Sequence, residues 1–305
     1  MKTKVLLIVA ALGLALVATP ASAAADKTLV IIDSGINKNL PWVANAVIEE
    51  ACFIEFGKCP NGLATMTGPG AAHLDPSLVK DRALSHGTQM ASVAVATNPN
   101  VKIVFVRIVG MSAKGFANTY TTKALAQAMT WVNENAARLN VGAVSVSLGR
   151  VYSEASCPVA AEPSLQPTIK SLAAANIPTV IAAGNNSDKV KVNYPACIPD
   201  AIAVGATDNR YTVKNIVGWV YPVMHNSNGG PDLDIYAHGR FNTSDVTGKV
   251  AVSLGTSNAN TAVATRLAQS LSVGGTLADT MAKVQASFQN AYRTAAEPLK
   301  FFFQT

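Results

Sequence analysis

Four residues of this 305-residue chain combine reactive side chains with informative neighbours. They are Asp33 in VIIDSGI, His86 in SHGTQMAS, Asn185 in VIAAGNNS and Ser257 in GTSNANTAVA. Ser257 follows Gly-Thr and leads into an Ala-rich run, where a helix is expected to open. A serine there has two readings: a helix cap, whose oxygen accepts an orphan backbone N–H, or a nucleophile set at the helix N-terminus. Asp33 ends an apolar run and precedes Ser34-Gly35, which suits an Asx-turn as well as a functional carboxylate. His86 stands where another helix begins, and Asn185 lies in a turn sequence that tolerates a left-handed backbone. Each has a structural explanation of its own. Together they place a carboxylate, an imidazole, an amide and a hydroxyl in one order along the chain.

The elements that must position them alternate in period. Strands are predicted at TLVIID (28–33), VKIVFVRIV (101–109), GAVSVSLG (142–149), PTVIAAG (178–184) and AIAVGA (201–206). A polar, Gly/Pro-rich stretch separates the first strand from a helix at 86–97. A further helix is expected over 122–140, with Leu125, Met129, Val132 and Ala136 on one face. Others are expected within 164–176, at 257–272 and at 277–293. Strands rich in Val, Ile and Ala, separated by helices, imply an α/β fold: a doubly wound, mainly parallel sheet with helices on both faces. In such sheets ligands lie beyond the carboxyl ends of the strands. Asp33, residues 147–149 and Gly184-Asn185 all end strands, so they are expected at one edge.

Bulk properties narrow the function classes. Lys2 and Lys4, an apolar run over 5–18 and Ala21-Ser22-Ala23 read as an export signal over residues 1–23. The run is too short for a comfortable membrane span, and no later segment reaches that length. A single domain over 24–305, secreted or periplasmic, is therefore expected. The formal net charge of +6 falls to +4 without Lys2 and Lys4, with no basic block to favour nucleic acid. Cys52, Cys59, Cys157 and Cys197 are even in number, which suits disulfides in an exported chain. Of the three pairings, the local Cys52–Cys59 loop with Cys157–Cys197 is preferred. Their spacing lacks the paired C-x2-4-C pattern of a zinc site. His73, His225 and His238 have no metal-ligand spacing, and Asp232 with Asp234 falls far short of a calcium ligand set.

With Asp33, His86, Asn185 and Ser257 in that order, the sequence resembles the subtilisin-like serine proteases (subtilases, peptidase family S8) from about residue 28 to residue 293. The resemblance rests on VIIDSGI, SHGTQMAS and GTSNANTAVA, with AVSVSLG, VIAAGNNS and YPACIPDAIAVGATD between them. It implies the subtilisin-like three-layer fold and a serine endopeptidase working through an acyl-enzyme. In that chemistry Ser257 needs His86 to take its proton, and His86 needs Asp33 on its other ring nitrogen. Asn185 and the Ser257 backbone N–H would hold the oxyanion. Ser147, Leu148 and Gly149 would pair with an extended peptide, and Ala182, Ala183 and Gly184 would wall the P1 pocket. Asn193, near the pocket base, either points inward and makes the pocket shallower or more polar, or turns outward.

The resemblance also has departures. After the serine, the family's usual Met-Ala-x-Pro-His reads Asn258-Ala259-Asn260-Thr261-Ala262 here, while Gln89 and His238 stand where relatives often have histidine and proline. Only about nine residues separate the expected cleavage point from Asp33, so no long pro-segment is expected there, and folding is unaided or uses a separate folding or inhibitory partner. A monomer acting on protein or peptide substrates is expected, with no catalytic cofactor and structural calcium at no position the sequence identifies. The rival functions are a catalytically silent protein that holds a peptide or partner on this scaffold, and an esterase-type acyl hydrolase.

Overall fold

Thr28–Asp33 forms β1, six residues with no exposed side chain. The computed structural model describes residues 26–208, 210, 213–215, 218–272, 275–280 and 301–303, so the segment 1–23 lies outside the described residues. Strand side chains alternate between faces, and β1 uses both. Val30 and Ile32 join one buried cluster, Leu29 and Ile31 the other. A strand buried on both sides sits in mid-sheet. Its neighbours are β4 (Ile103–Arg107) and β5 (Val141–Val146), both parallel to it.

The sheet extends from β5 through β6 (Thr179–Ala182), β7 (Ala201–Thr207) and β10 (Ile235–His238) to β13 (Phe301–Phe303), all parallel. On the other side, β4 is followed by β2 (Val47–Phe53) and then β3 (Thr65–Thr67), which pairs antiparallel at the edge. Two hairpins stand apart, β8 (Val213–Asn215) with β9 (Gly218–Val220) and β11 (Arg240–Ser244) with β12 (Val250–Leu254). Helices α2 (His86–Thr97) and α5 (Thr256–Ser272) cover the Leu29/Ile31 face through Met90, Val93, Val263 and Leu267. Helices α3 (Thr122–Asn135) and α4 (Leu165–Ala174) cover the Val30/Ile32 face through Leu125, Met129, Ile169 and Leu172. Each of these large buried apolar side chains contributes about 1.5–3 kcal/mol. The result is the expected three-layer α/β architecture.

Several elements differ from expectation. The helix expected over 122–140 stops at Asn135. Asn140 adopts φ 49° and the Val141 N–H turns back to the Ala136 carbonyl at 3.0 Å, which ends the helical path and starts β5. The polar, Gly/Pro-rich stretch holds α1 (Pro41–Ala46), β2 and β3. Two glutamates mask the apolar pattern of β2, yet Glu50 is buried, its carboxylate accepting the N–H groups of Gly70 and Ala72 at 2.8 and 3.0 Å. Residues 147–149 lie beyond the end of β5. Of the helix expected at 277–293, residues 277–280 are helical and 281–293 lie outside the described residues.

Two disulfides join Cys52 to Cys59 and Cys157 to Cys197. The second closes a separation of 40 residues. On the chain-entropy model a loop of that length is worth about 4 kcal/mol, against about 2.5 kcal/mol for the short loop. Replacing both Cys157 and Cys197 by serine is therefore expected to lower stability more than replacing Cys52 and Cys59, as read by urea unfolding of the two double variants.

Candidate active site

Alternation along β1 puts Asp33 on the same face as Leu29 and Ile31, beneath α2 and α5. The carboxylate is fully buried. It accepts the Ser34 N–H at 2.7 Å and lies 2.8 and 3.0 Å from His86 Nδ1 through its two oxygens. Ser34 holds α2 in place: its Oγ donates to the Leu84 carbonyl at 3.1 Å and accepts the Gly87 N–H at 2.9 Å. At Gly87 a Cβ would fall 2.3 Å from the Gly35 carbonyl, so only glycine lets the start of α2 approach β1 this closely.

His86 itself is 27% exposed, so one edge of the ring faces outward. With Nδ1 donating to Asp33, the neutral imidazole carries its free lone pair on Nε2. Burial is the largest influence on its pKa and pulls downward. The negative charge of Asp33 and its hydrogen bond together outweigh that and leave the pKa raised above the ordinary 6.5.

Among the described residues, no neighbouring side chain caps the start of α5. The Thr256 N–H donates at 3.0 Å to Asn185 Oδ1, which also accepts the Thr256 hydroxyl at 3.2 Å. The oxygen that satisfies the helix start thus comes from a segment 71 residues away, and neither Thr256 nor Ser257 caps it. Gly255, at φ 136°, makes this possible: a Cβ there would meet the Asn185 amide at 3.0–3.3 Å. Because Asn185 Oδ1 is occupied by Thr256, its NH2 group is left for another acceptor.

One turn along each helix, Met90 of α2 and Thr261 of α5 touch, with Thr261 Oγ1 3.3 Å from Met90 Sδ. His86 and Ser257 each stand four residues before one member of that pair, so they occupy matching levels at the starts of adjacent helices. The Ser257 hydroxyl donates to the Ser147 carbonyl at 3.3 Å, and the Ser147 hydroxyl donates to the Ser257 carbonyl at 3.2 Å. No hydrogen bond joins His86 to Ser257 among the described residues. A single bond at 3.3 Å is a weak restraint on a hydroxyl.

Ser147 is buried, Leu148 half-buried and Gly149 exposed, so this segment climbs from the sheet to the surface. Just beyond it, Arg150 and Tyr194 exchange two backbone hydrogen bonds of 2.8 and 3.0 Å. Ala182 and Ala183 are buried, and Gly184 follows at φ 107°. Asn193 is turned inward: its Nδ2 donates to Asn186 Oδ1 at 2.9 Å and its Oδ1 accepts from Asn228 Nδ2 at 3.1 Å. A Cβ on Gly184 would lie 2.5 Å from Asn193 Nδ2, so the amide occupies the space beside that glycine.

Sequence reasoning missed a cleft of about 270 Å³ against His86, walled by Val109, Ala117, Tyr120 and Leu148. Most of its lining comes from the connection between β4 and α3, whose residues carry no periodic signal. The other histidines lie elsewhere. His73 Nδ1 accepts the Lys38 N–H, and burial lowers its pKa, as it does that of His238 at the end of β10. Asp234 accepts the Ala203 N–H at 2.8 Å. Among the described residues no three His, Cys, Asp or Glu side chains group as metal ligands, and no helix is long and apolar enough to cross a membrane.

A mainly parallel sheet between two helix layers thus carries a buried Asp–His pair at the end of β1 and a serine at a neighbouring helix start. A family model, the subtilase family, matches residues 25–301, and the chain belongs to that family. Subtilisin-like protease 3 of Pseudogymnoascus destructans is 29% identical over 228 residues, covering 72% of this chain and 45% of that protein. A cuticle-degrading serine protease of Arthrobotrys oligospora is 29% identical over 158 residues, 50% of this chain and 32% of the relative. The chain therefore spans less than half the length of these curated relatives. The crystal structure of a cold-adapted subtilisin-like serine proteinase shares the fold, with a TM-score of 0.65 over 90% of this chain and 87% of that one at 21% identity.

Proposed function

We propose that this subtilase is an exported serine endopeptidase, with residues 24–305 as its catalytic domain. The reading rests above all on the His86–Asp33 pair, which leaves Nε2 as a base at the start of α2, level with Ser257 on α5. Ser257 Oγ attacks the scissile carbonyl carbon while His86 Nε2 takes the hydroxyl proton. The oxyanion that forms is held by the Asn185 NH2 group and the Ser257 N–H, both near the positive end of α5. When the C–N bond breaks, His86 returns the proton to the leaving amine and an acyl-enzyme remains. Water, deprotonated by His86, then releases the acid. Residues 147–149 offer backbone groups to an extended substrate strand, and the cleft against Leu148 and Tyr120 accepts a side chain on the acyl side. Export is supported by the two disulfides and the leader-like segment 1–23.

A phosphonofluoridate is expected to label Ser257, and Ser257→Ala to lose casein cleavage by about six orders of magnitude, the scale seen when residues of a triad act as a unit. A folded wild type that is neither labelled nor active would make the chain a peptide- or partner-binding protein. Ester turnover without peptide turnover would make it an acyl hydrolase of another kind.

His86 must be neutral to accept the proton, and its pKa lies above 6.5. Raising that pKa moves the acid limb of kcat/KM upward, giving a neutral-to-alkaline optimum. A pH profile that keeps full activity below about pH 5 contradicts the role. At the P1 pocket, Asn193 fills the space beside Gly184. Asn193→Gly is expected to raise kcat/KM for a P1 Phe peptide relative to a P1 Ala peptide by about tenfold, and an unchanged ratio rejects that placement.

A further inference from the structure

Beneath the first turn of α5 lies a layer of buried polar side chains that the reaction steps do not use. Ser145 points from β5 and Ser147 from just beyond it, on the face that also holds Ala143. Asn260 and Thr261 meet them from α5. All four are at most 6% exposed. Asn260 Nδ2 donates to Ser145 Oγ at 3.0 Å and to Ser147 Oγ at 3.1 Å.

These two donations leave both serine hydroxyls free to donate onward. With its oxygen accepting from Asn260, Ser147 has its own O–H for the Ser257 carbonyl at 3.2 Å, with Thr261 Oγ1 also within reach at 3.3 Å. The Ser147 carbonyl in turn receives the Ser257 hydroxyl. Thr261 Oγ1 donates to the same Ser257 carbonyl at 3.0 Å. Ser147 is thus clasped to Ser257 from both sides, and Asn260 fixes the clasp. The other end of the Asn260 amide has no such use: Oδ1 is buried without a partner among the described residues. A buried amide oxygen left unpaired is destabilising and offsets part of what the two Nδ2 hydrogen bonds contribute to stability.

Resting on the serine-protease reading above, we propose that Asn260 is a positioning residue. It orients the Ser147 hydroxyl, and through Ser147 it fixes the backbone of Ser257 at the start of α5. Asn260, at the variable position of the block after the serine, and Thr261, where that block usually has proline, together seat the start of α5.

The test compares wild type, Asn260→Ala, Ser147→Ala and the double variant, all as the full chain. Phosphonofluoridate labelling rate, peptide kcat and KM, and thermal melting are measured for each. Asn260→Ala is expected to melt only slightly lower than wild type, since the lost hydrogen bonds are offset by removal of the unpaired oxygen, while labelling and kcat fall by about ten- to a hundredfold and KM stays unchanged. The double variant is expected to lose little beyond the worse single variant, because both act through one path. Wild-type kcat in Asn260→Ala, a large drop in melting temperature, or losses that multiply in the double variant each overturn the proposal. If wild type itself is inert to the reagent, the protease reading fails instead. Amide hydrogen exchange at Ser257 and Asn258 then decides the positioning: faster exchange in Asn260→Ala supports it and unchanged exchange overturns it.

Discussion

A carboxylate with no solvent exposure, Asp33, is the constraint on which the rest of this structure depends. A buried charge is tolerated only when hydrogen-bond donors surround it. Here they are the next backbone N–H and the ring of His86. To bring that ring within reach, α2 has to begin directly against the end of β1, which Ser34 and the Gly35–Gly87 contact enforce. The compensating partner is also the group whose pKa the carboxylate raises. Burial, backbone path and acid–base character therefore follow from one side chain facing one side of one strand.

The parallel sheet extends this logic to the other participants. Parallel strands end at a common edge, and the helices that follow them or pack on them start there. Ser147 and Gly184-Asn185 come from separate parts of the chain, yet each lies within a few residues of such an end, and Ser257 opens α5, which packs on the same sheet. Cross-chain hydrogen bonds then hold them together: Ser147 with Ser257, Asn185 with Thr256, Asn193 with Asn186 and Asn228. No side chain of this group is anchored by its own helix alone.

Much of this is legible in the sequence where one physical signal dominates. The apolar runs of β1, β4, β5, β6 and β7 and the Ala-rich stretches of α2 and α5 mark their own positions, with β1 and α2 matching at both ends and no end displaced by more than three residues. β2 is hidden because Glu49 and Glu50 look solvent-facing, and the burial of Glu50 depends on N–H groups 20 and 22 residues away. The end of α3 is masked because Ala136 and Leu139 continue the helical spacing, while the left-handed turn at Asn140 stops it. At the site, residue order shows which side chains belong together. It does not reveal that Asn185 caps α5, that Asn193 turns inward, or that Tyr120 walls a cleft, since each depends on which distant segment arrives alongside.

The amide of Asn185 is divided between two masters. Its oxygen serves the architecture by closing the open end of α5, and on the proposed reading its nitrogen serves the reaction by meeting the oxyanion. A planar amide cannot rotate one end without moving the other. The helix start therefore acts as a jig for the catalytic donor, and the donor's attachment to the helix sets its aim. A carboxylate at this place would keep the brace and abandon the anion, whereas a hydrocarbon would abandon both. Any substitution at this position is consequently screened twice, once by the scaffold and once by the chemistry, and few side chains can pass both.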